Sequence, residues 1–570
     1  MSNVKETANF IWAIADLLRG EYTQADYGKV ILPFTVLRRL DNVLAKTKPK
    51  VLAVAKTLKI DNVDPVLNKT AGFKFHNKSH FDFEKLIADP ANIASNLRDY
   101  INGFSVDARE VIEQFKFDEQ ITTLDNYDLL YQITKRFHEI DLHPDKISSM
   151  DMGYMFEELI RKFAELSNET AGHHFTPREV IKLMVNLLFI NDRDILTKKG
   201  IVKTMYDCCA GTGGMLSVAE EYLNDLNANA RLEVFGQELN PQSYAICKSD
   251  MLIKGHNATN IRRGNTLTDD QLPDDTFDYL ITNPPFGVKW DKYAAPIIKE
   301  HNSMGFGGRF GAGIPAKSDG SFLFLMHLIS KMKQDEKGSR LAILFNGSPL
   351  FSGSPSKKSN ESTIRKWIIE NDLLEAVVGL PTQLFYNTGI ATYIWILSNR
   401  KEKKRQGKVQ LINATDFYQK MAKSMGDKRN ELNDQHIKDI TQLYEAFEES
   451  KCSKLFDNQD FGYSKVTVER PLIENDEVVT DKKGKPKANT KLRDTESIPL
   501  KEDIQSYFDR EVLPHVPGAW IDESKTLTGY EINFTKHFYE YKPLRSLEEI
   551  KADILALENK TKGGVQDVLL

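Results

Sequence analysis

The chain has 570 residues, of which 41% are hydrophobic and 10% aromatic, a length that allows about three to four folded domains. Its formal net charge is −5 at pH 7. The chain therefore lacks the overall positive charge of a protein that binds nucleic acid unaided, and such binding would need a partner or a local basic patch. The amino terminus has no apolar signal core, the apolar runs are too short to span a bilayer, and the four cysteines lack metal-ligand spacing. These features predict a cytoplasmic protein with no membrane segment and no metal site.

The first 150 residues carry apolar patterns of helical period. Ile11, Ile14 and Leu18 fall on one face of a predicted helix, and Leu37 and Leu40 repeat the pattern further along. We therefore predict a helical domain over residues 1–150, in which these apolar faces form the core.

A longer amphipathic pattern covers residues 151–169 and leads into a segment of mixed character. The paired histidines of His173–Phe175 have no further metal ligand nearby in the sequence, so we expect a loop over a bound ligand in place of a zinc site. Thr176, followed by Pro177 and Glu179, matches a capping box. The pattern predicts that Thr176 caps the next helix.

Residues 201–207 predict a strand, and the glycine-rich turn Cys208–Gly214 leads from it into a helix. Such a turn lets the backbone approach a ligand closely, and the amino end of the helix favours polar or anionic groups. The turn has neither the GxGxxG spacing nor the Lys-Ser/Thr pair of a phosphate loop. On its own it indicates a ligand site without identifying the ligand.

Two further predicted strands end in polar side chains. The strand over residues 233–237 ends at Glu238, where an acidic residue can accept both hydroxyls of a ribose, although a lone carboxylate is more often a solvated surface group. The third unit ends near Asn265, whose amide can read an adenine edge. Because the carboxyl ends of parallel strands meet at one edge of a sheet, these residues are predicted to converge.

The fourth strand, residues 277–282, runs into Asn283-Pro284-Pro285-Phe286, where the prolines end the sheet ladder. The amide oxygen of Asn283 and the carbonyl of Pro284 can accept hydrogen bonds from an amino group, while Phe286 can stack on the plane that carries it. Two such acceptors would make a conjugated nitrogen nucleophilic, most strongly in the transition state. For the tetrapeptide alone, a plain Asx-Pro turn is the alternative.

Taken together and in this order, the motifs resemble those of amino-group DNA methyltransferases that use S-adenosylmethionine. Phe175–Pro177 is followed by Asp207–Gly214, Glu238, Asn265 and Asn283–Phe286, an order similar to that of the N6-adenine group called gamma. The helical amino-terminal part, the lack of a recognisable target-recognition domain and the carboxyl-terminal tail are similar to the modification (M) subunit of type I restriction-modification systems. The joint order is more specific than any one motif and extends over nearly the whole chain.

The resemblance implies site-specific transfer of a methyl group from S-adenosyl-L-methionine to adenine N6 of a base flipped out of double-stranded DNA. The implied catalytic residues are Asn283, Pro284, Pro285 and Phe286. The implied cofactor-binding residues are His173, His174, Phe175, Thr176, Pro177, Arg178, Asp207, Ala210, Gly211, Thr212, Gly213, Gly214, Glu238 and Asn265. Asn265 stands where many relatives carry an aspartate.

The resemblance also implies partners, namely double-stranded DNA, a specificity (S) subunit, a second M subunit and, in the full complex, a restriction (R) subunit. The same Asn-Pro-Pro-aromatic chemistry serves cytosine N4 in DNA, guanine N2 in RNA and glutamine side chains in proteins, which are the enzymatic alternatives. A catalytically idle assembly scaffold is the non-enzymatic one. The intact set Asn283–Phe286 and the acidic Glu238 argue against it.

Past the catalytic motif, apolar strands alternate with helices and predict a mostly parallel sheet. Residues 305–320 include six glycines and predict either a mobile loop beside the target pocket or a plain surface loop. The basic run Arg400–Lys408 predicts a hairpin loop, either solvated or in contact with phosphates.

The carboxyl-terminal part has fewer recognisable sequence motifs. Residues 471–495 are charged and predict an extended or partly disordered arm. Apolar residues in a 3-4-3 spacing near the end, at Leu547, Ile550, Ile554 and Leu557, predict a coiled-coil-like helix that docks on a partner or on the chain itself.

With the resemblance, the predicted fold class is α/β, a Rossmann-like S-adenosylmethionine-dependent methyltransferase sheet with a helical amino-terminal domain and a mainly helical carboxyl-terminal tail. The predicted domains are residues 1–150, helical; 151–420, catalytic; and 421–570, an assembly region.

Overall fold

The computed structural model describes residues 2–166, 176–356, 358, 360–386, 388–474, 477–539 and 546–557. The chain forms two compact units, Met1–Ile532 and Asn533–Leu570. In the part of the chain described, every helix is too short or too polar to cross a membrane.

Helices form the amino-terminal region, as predicted. Ile11, Ile14, Leu18, Leu37 and Leu40 are all buried in one core. The helices are α1 Ser2–Ala15, α2 Tyr27–Leu44, α3 Lys48–Ala55, α4 Asp64–Ala71, α5 Phe83–Ala88, α6 Ile93–Asn102, α7 Val106–Glu113, α8 Phe117–Asn126, α9 Leu130–His138 and α10 Ser149–Leu166.

A nine-stranded sheet follows and confirms the predicted α/β fold. Its spatial order is β11-β8-β6-β7-β5-β4-β1-β2-β3. The strands are β1 Val202–Asp207, β2 Arg231–Glu238, β3 Ile261–Arg263, β4 Tyr279–Thr282, β5 Arg340–Asn346, β6 Leu374–Gly379, β7 Thr392–Ser398, β8 Lys408–Asn413 and, after a separate hairpin of β9 Gln419–Met425 and β10 Lys428–Glu431, β11 Ser453–Asp457. The sheet is mostly parallel, because only β7 and β11 run antiparallel to their neighbours.

Helices connect the strands and cover the sheet. Apolar side chains of β4, β5 and β7 are fully buried beneath them, as expected for strands inside a covered parallel sheet. The helices are α11 Arg178–Phe189, α12 Arg193–Leu196, α13 Gly214–Leu226, α14 Pro241–Lys254, α15 Ala294–Met304, α16 Ser321–Ser330, α17 Ser348–Phe351, α18 Glu361–Glu370 and α19 Asp434–Ala446.

The sheet continues past residue 420, where the sequence analysis ended the catalytic domain. The edge strand β11 lies more than 30 residues beyond that position, and α19 packs against α11. Ile412 of β8 and the buried face of α19, which includes Ile437, Ile440 and Tyr444, join the core of the sheet. Residues 421–457 are therefore part of the catalytic fold.

Three cations of the basic run Arg400–Lys408 are structural, whereas Lys403, Lys404 and Lys408 are exposed, as predicted for a solvated loop. The predicted hairpin was wrong, because β6 lies between β7 and β8 in the sheet. Arg405 is fully buried, and its Nε lies 3.1 Å from Oε1 of the equally buried Glu375. Lys401 donates to Oδ1 of Asp372 at 2.6 Å, and Arg400 pairs with Asp192. These cations hold strands and helices together in the fold.

The prediction of a mainly helical tail was wrong for residues 462–530. This part forms a three-stranded antiparallel sheet of β12 Gly462–Glu469, β15 Asp494–Pro499 and β16 Trp520–Tyr530, with a small core around Val466, Val468 and Ile498. The alternation of Val466 and Val468 is the period of a strand. Short elements complete it, namely β13 Ile473–Glu474 and β14 Glu477–Val478 in the segment predicted as an arm, and α20 Ile504–Tyr507.

The second unit contains α21 Phe534–His537 and a helix over residues 547–557. Leu547, Ile550, Ile554 and Leu557 are between 41% and 84% exposed on that helix. The helix predicted there is present over the described residues.

Candidate active site at the carboxyl edge of the sheet

Parallel pairing brings the carboxyl ends of β1, β2, β3 and β4 to one edge of the sheet. Asp207 at the end of β1 pairs with Gly236, Glu238 at the end of β2 pairs with Arg263, and β4 runs parallel to β1. The residues that follow these strands therefore lie side by side, as predicted.

Asn283 follows β4 directly and is held by Thr176. The Nδ2 of Asn283 donates to the Thr176 Oγ1 at 2.8 Å, and Thr176 is 8% exposed. The hydrogen bond determines which end of the amide faces Thr176. The capping box predicted for Thr176 was wrong, because α11 begins at Arg178 and its N-cap, Pro177, makes no side-chain capping bond.

Asp207 braces the start of the glycine-rich turn. Its Oδ1 accepts from the Thr282 hydroxyl at 2.7 Å and from the Cys209 amide at 3.0 Å. Burial raises the pKa of Asp207 to about 7, against the lowering effect of these two bonds. The bond from Thr282 connects the end of β1 to the residue directly before Asn283.

The turn itself is shaped by two glycines and by Glu238. Gly211 and Gly213 have φ of +54° and +86°, and a Cβ on Gly213 would stand 2.8 Å from the Cys247 Sγ. The Glu238 Oε2 accepts from the Gly211 amide at 2.8 Å, and its Oε1 accepts from the Asn240 amide at 2.7 Å. Each carboxylate oxygen has a second lone pair, so these bonds orient Glu238 and are compatible with the predicted contact to ribose hydroxyls.

A buried carboxylate missed in the sequence analysis joins the turn to the amino-terminal helices. Glu157 of α10 accepts from the Thr212 hydroxyl at 3.1 Å and from the Arg178 Nη2 at 3.2 Å. Burial raises its pKa above the usual value, and Arg178 opposes this. Glu157 looks like any polar position of an amphipathic helix, so no sequence signal distinguishes it.

The residues of this edge line an open cavity. Its walls include Thr176, Asp207, Ala210, Gly211, Thr212, Gly214 and Asn283 from the predicted set, together with Glu157, Ile181, Cys209 and Met215. Glu238 is not among these lining residues and is connected to the cavity wall through its bond to the Gly211 amide. The glycine turn and the apolar Ile181 and Met215 suit a ligand with a base and a polar end.

Three of the remaining predicted residues, Asn265, Phe286 and Pro284, follow β3 and β4 and are not among the residues that line the cavity. The Asn265 Oδ1 accepts from the Leu267 amide at 3.0 Å in a turn after β3, so that oxygen is engaged locally. Phe286 is half-buried and meets Phe385 edge-on, with ring centroids 6.3 Å apart. Pro284 is buried at the end of the strand. His173–Phe175 lies outside the described residues.

The glycine-rich loop 305–320 is packed against the fold. Arg309 donates through Nη2 to Glu300 at 2.7 Å and through Nη1 to the Thr266 carbonyl at 2.7 Å, and Phe310 is fully buried. The Trp290 indole donates to the Ala316 carbonyl at 2.8 Å. Because of these contacts the loop packs against the fold and is connected to the turn that carries Asn265.

Two family models match the chain. The model described as N-6 DNA Methylase matches residues 148–491, and the model described as HsdM N-terminal domain matches residues 7–137. The first includes α10, the whole cavity and the nine-stranded sheet, and the second includes most of helices α1 to α9.

The chain is also similar to curated methylase subunits of type I restriction enzymes. The chain is 26% identical to the type I restriction enzyme MjaIX methylase subunit of Methanocaldococcus jannaschii over 88% of this chain and 87% of the relative. It is 27% identical to the HindI methylase subunit of Haemophilus influenzae over 62% of this chain and 72% of the relative.

A solved structure shares the fold. It is a type I restriction-modification system methyltransferase subunit from Streptococcus thermophilus, with a TM-score of 0.62 and 24% identity over 80% of this chain and 97% of the other.

Proposed function

The chain belongs to the family of N-6 DNA methylases, and from this premise we propose that it is the modification subunit of a type I restriction-modification complex. The family activity is transfer of a methyl group from S-adenosylmethionine to adenine N6 in DNA. The amino-terminal HsdM match and relatives that are type I methylase subunits support the narrower assignment.

The observation that carries the proposed chemistry is the placement of Asn283. Its amide stands at the wall of the cavity, oriented by Thr176, on a backbone that two prolines stiffen. An oriented amide oxygen and the Pro284 carbonyl would accept hydrogen bonds from the N6 amino group and polarise it as charge develops. This arrangement favours an amino nitrogen over a ring carbon as the acceptor of the methyl group.

The target base must leave the duplex to reach this edge, because N6 is inaccessible within the base stack. Phe286 would stack on the flipped adenine, and Phe385 supports it edge-on from the core side. S-adenosylmethionine, when bound, supplies a methyl group already activated by its sulfonium. The chain then has to hold Glu238 towards the ribose, align the base and exclude water.

A hairpin at the same edge supplies positive charge for DNA. Strand β8 runs parallel to β6, which has the direction of β4, so β8 ends at the edge that carries Asn283. The hairpin β9–β10 follows β8 and carries the exposed Lys420, Lys423 and Arg429. Its tip is fixed to Tyr386, whose carbonyl accepts from the Asp427 amide at 2.7 Å. We expect these cations to contact phosphates beside the flipped base.

The exposed apolar face of residues 547–557 supports docking on another subunit. A lone helix of this length is marginal in water, and its Leu547 is 84% exposed. We propose that this face packs against helices of the specificity subunit. Removing residues 545–570 should then abolish co-purification with that subunit, while the affinity for S-adenosylmethionine stays the same. Unchanged co-purification would refute the assignment of this helix.

The test of the proposed function is mass spectrometry of DNA incubated with S-adenosylmethionine and the chain, alone and with the subunits encoded beside it. We expect N6-methyladenine at one sequence context, with the partners required for site choice. N4-methylcytosine, or methylated RNA or protein in place of DNA, would favour the alternatives that use the same motif.

A further inference from the structure

A second, small cavity lies between the amino-terminal helices and the glycine-rich turn. It shares Thr212 and Gly214 with the cavity at the edge of the sheet. Arg39 of α2, which has no role in the chemistry described above, lines it together with Arg178 and Asp250.

Arg39 presents a pair of donors that the protein does not use. It is 2% exposed, and its Nη1 donates to the carbonyls of Leu142 at 2.5 Å and Ile147 at 2.6 Å, which fixes the guanidinium in place. Its Nε and Nη2 have no hydrogen-bond partner among the described residues. These two nitrogens form one edge of the guanidinium, the edge that binds a carboxylate or phosphate through two parallel hydrogen bonds.

Arg178 enters the same cavity from the other side. Its Nη2 bonds to Glu157, while Nε and Nη1 have no partner in the described part of the chain. A Cβ on Gly153 or on Gly214 would stand 2.8 Å or 2.7 Å from its guanidinium nitrogens, so the guanidinium packs closely against the backbone at both glycines. The amino end of α13, which begins at Gly214, adds partial positive charge at this wall.

The nearby carboxylates are already engaged. The Asp250 Oδ2 takes bonds from Lys254 at 3.1 Å and Ser217 at 3.2 Å, and Glu157 is shared by Arg178 and Thr212. Among the described residues Arg39 forms no ion pair; the charges of Asp250 and Asp141 act on it from a distance, but burial outweighs them and lowers the pKa of Arg39. Burying a guanidinium without an adjacent acidic partner costs free energy, and an oxyanion of a ligand would supply that partner.

We propose that this cavity is an oxyanion-binding site in which Arg39 provides the paired donors and Arg178 a further one. The shared wall at Thr212 and Gly214 places it next to the cavity proposed for S-adenosylmethionine, so one source of the oxyanion is the carboxylate of that molecule. The other source is free phosphate. In the first case the inference rests on the proposed function, and it makes a residue of the amino-terminal region part of cofactor binding.

The experiment compares S-adenosylmethionine, its decarboxylated analogue and inorganic phosphate by calorimetric titration of the full-length chain. If the donor carboxylate occupies the site, S-adenosylmethionine should bind about 10- to 100-fold more tightly than the decarboxylated analogue, as expected for charge-assisted hydrogen bonds. The variant R39M should lose most of this preference. R38M is the matched control, since Arg38 is a buried neighbour on α2 that bonds elsewhere, to Asp41 and the Ile140 carbonyl.

The outcomes separate the two sources and the two hypotheses. Equal binding of both donor molecules, with phosphate bound by wild type and not by R39M, would assign the site to free phosphate. Equal binding without phosphate binding would overturn the site, and this comparison needs only the wild-type chain. Phosphate binding through Arg39 without any binding of S-adenosylmethionine would retain the site and contradict the proposed function.

Discussion

Two polar clusters of this chain have opposite roles, although both follow strand ends in the sequence. Residues at the ends of β1 and β4, among them Asp207, Gly211 and Asn283, line an open cavity, and Glu238 at the end of β2 bonds to the Gly211 amide. The basic run Arg400–Lys408 follows β7, and its Arg400, Lys401 and Arg405 form ion pairs with Asp192, Asp372 and Glu375 within the fold.

The difference comes from where the partners lie. The first cluster repeats once per βα unit, so parallel pairing alone brings its members together at one edge. The second cluster meets carboxylates that are 29 or more positions away in the sequence, as between Lys401 and Asp372 at 2.6 Å. A run of charged residues stays solvated only if the tertiary structure places no oppositely charged groups beside it. The residues of the run themselves do not indicate which distant groups will lie there.

Asn283→Ala should have the largest effect on the first cluster. Loss of the amide removes an acceptor that acts in the transition state, and we expect methyl transfer to fall by at least about 10³-fold. Single-turnover transfer to DNA measures the effect, and calorimetry measures S-adenosylmethionine binding in parallel. Equal loss of both would mean that Asn283 is a structural residue.

Arg405→Met tests the second cluster. It leaves the fully buried Glu375 with one cation fewer, so the free energy of unfolding should fall by about 3–5 kcal/mol. Urea unfolding followed by circular dichroism measures this. Lys403→Met is the control in the same run, because Lys403 is exposed and should change stability by less than about 0.5 kcal/mol. Weaker DNA binding by Arg405→Met without lost stability would instead support the phosphate-contact prediction.

Phe286→Ala refines the description of the first cluster, since Phe286 belongs partly to the core and partly to the edge. Loss of stacking should weaken binding of the flipped adenine by about 1–3 kcal/mol. Fluorescence of a 2-aminopurine at the target position reports the flipped state. If binding is unchanged while stability falls, the ring serves only the contact with Phe385.

The smallest effect is expected at the hairpin β9–β10, a third cluster of cations with no buried partner at Lys420 or Lys423. Replacing both with Gln should weaken DNA binding and reduce the slope of log K against log salt by about 0.9 for each phosphate that the hairpin no longer neutralises. Lys438→Gln on the exposed side of α19 is the control. An unchanged slope would place the DNA elsewhere.

Patterns of neighbouring residues were enough to predict the strands β1 to β7, the glycine turn and the position of Asn283, because each depends on residues adjacent in the chain. The predictions were wrong where one sequence pattern is compatible with two different structures. Thr176 matches a capping box, yet its hydroxyl bonds to Asn283, 107 positions away. Residues 421–457 and the sheet at 462–530 were assigned to a tail because their strands are short and charged, with partners distant in the sequence.

The cofactor contacts of the remaining predicted residues stay predictions. Glu238 and the glycine turn are bound to each other in a form that suits a ribose. The oxygen of Asn265 accepts one bond within its own turn and keeps a second lone pair, so both ends of its amide can contact an adenine edge. Glu157 carried no signal in the sequence because its partners, Arg178 and Thr212, come from two other elements.

The most direct test of the account is an experimental structure of the chain with S-adenosylhomocysteine bound. We expect the ribose hydroxyls at Glu238 and the sulfur facing the amide of Asn283 across the cavity. A ligand bound elsewhere, with that amide turned away into a buried network, would contradict the central claim.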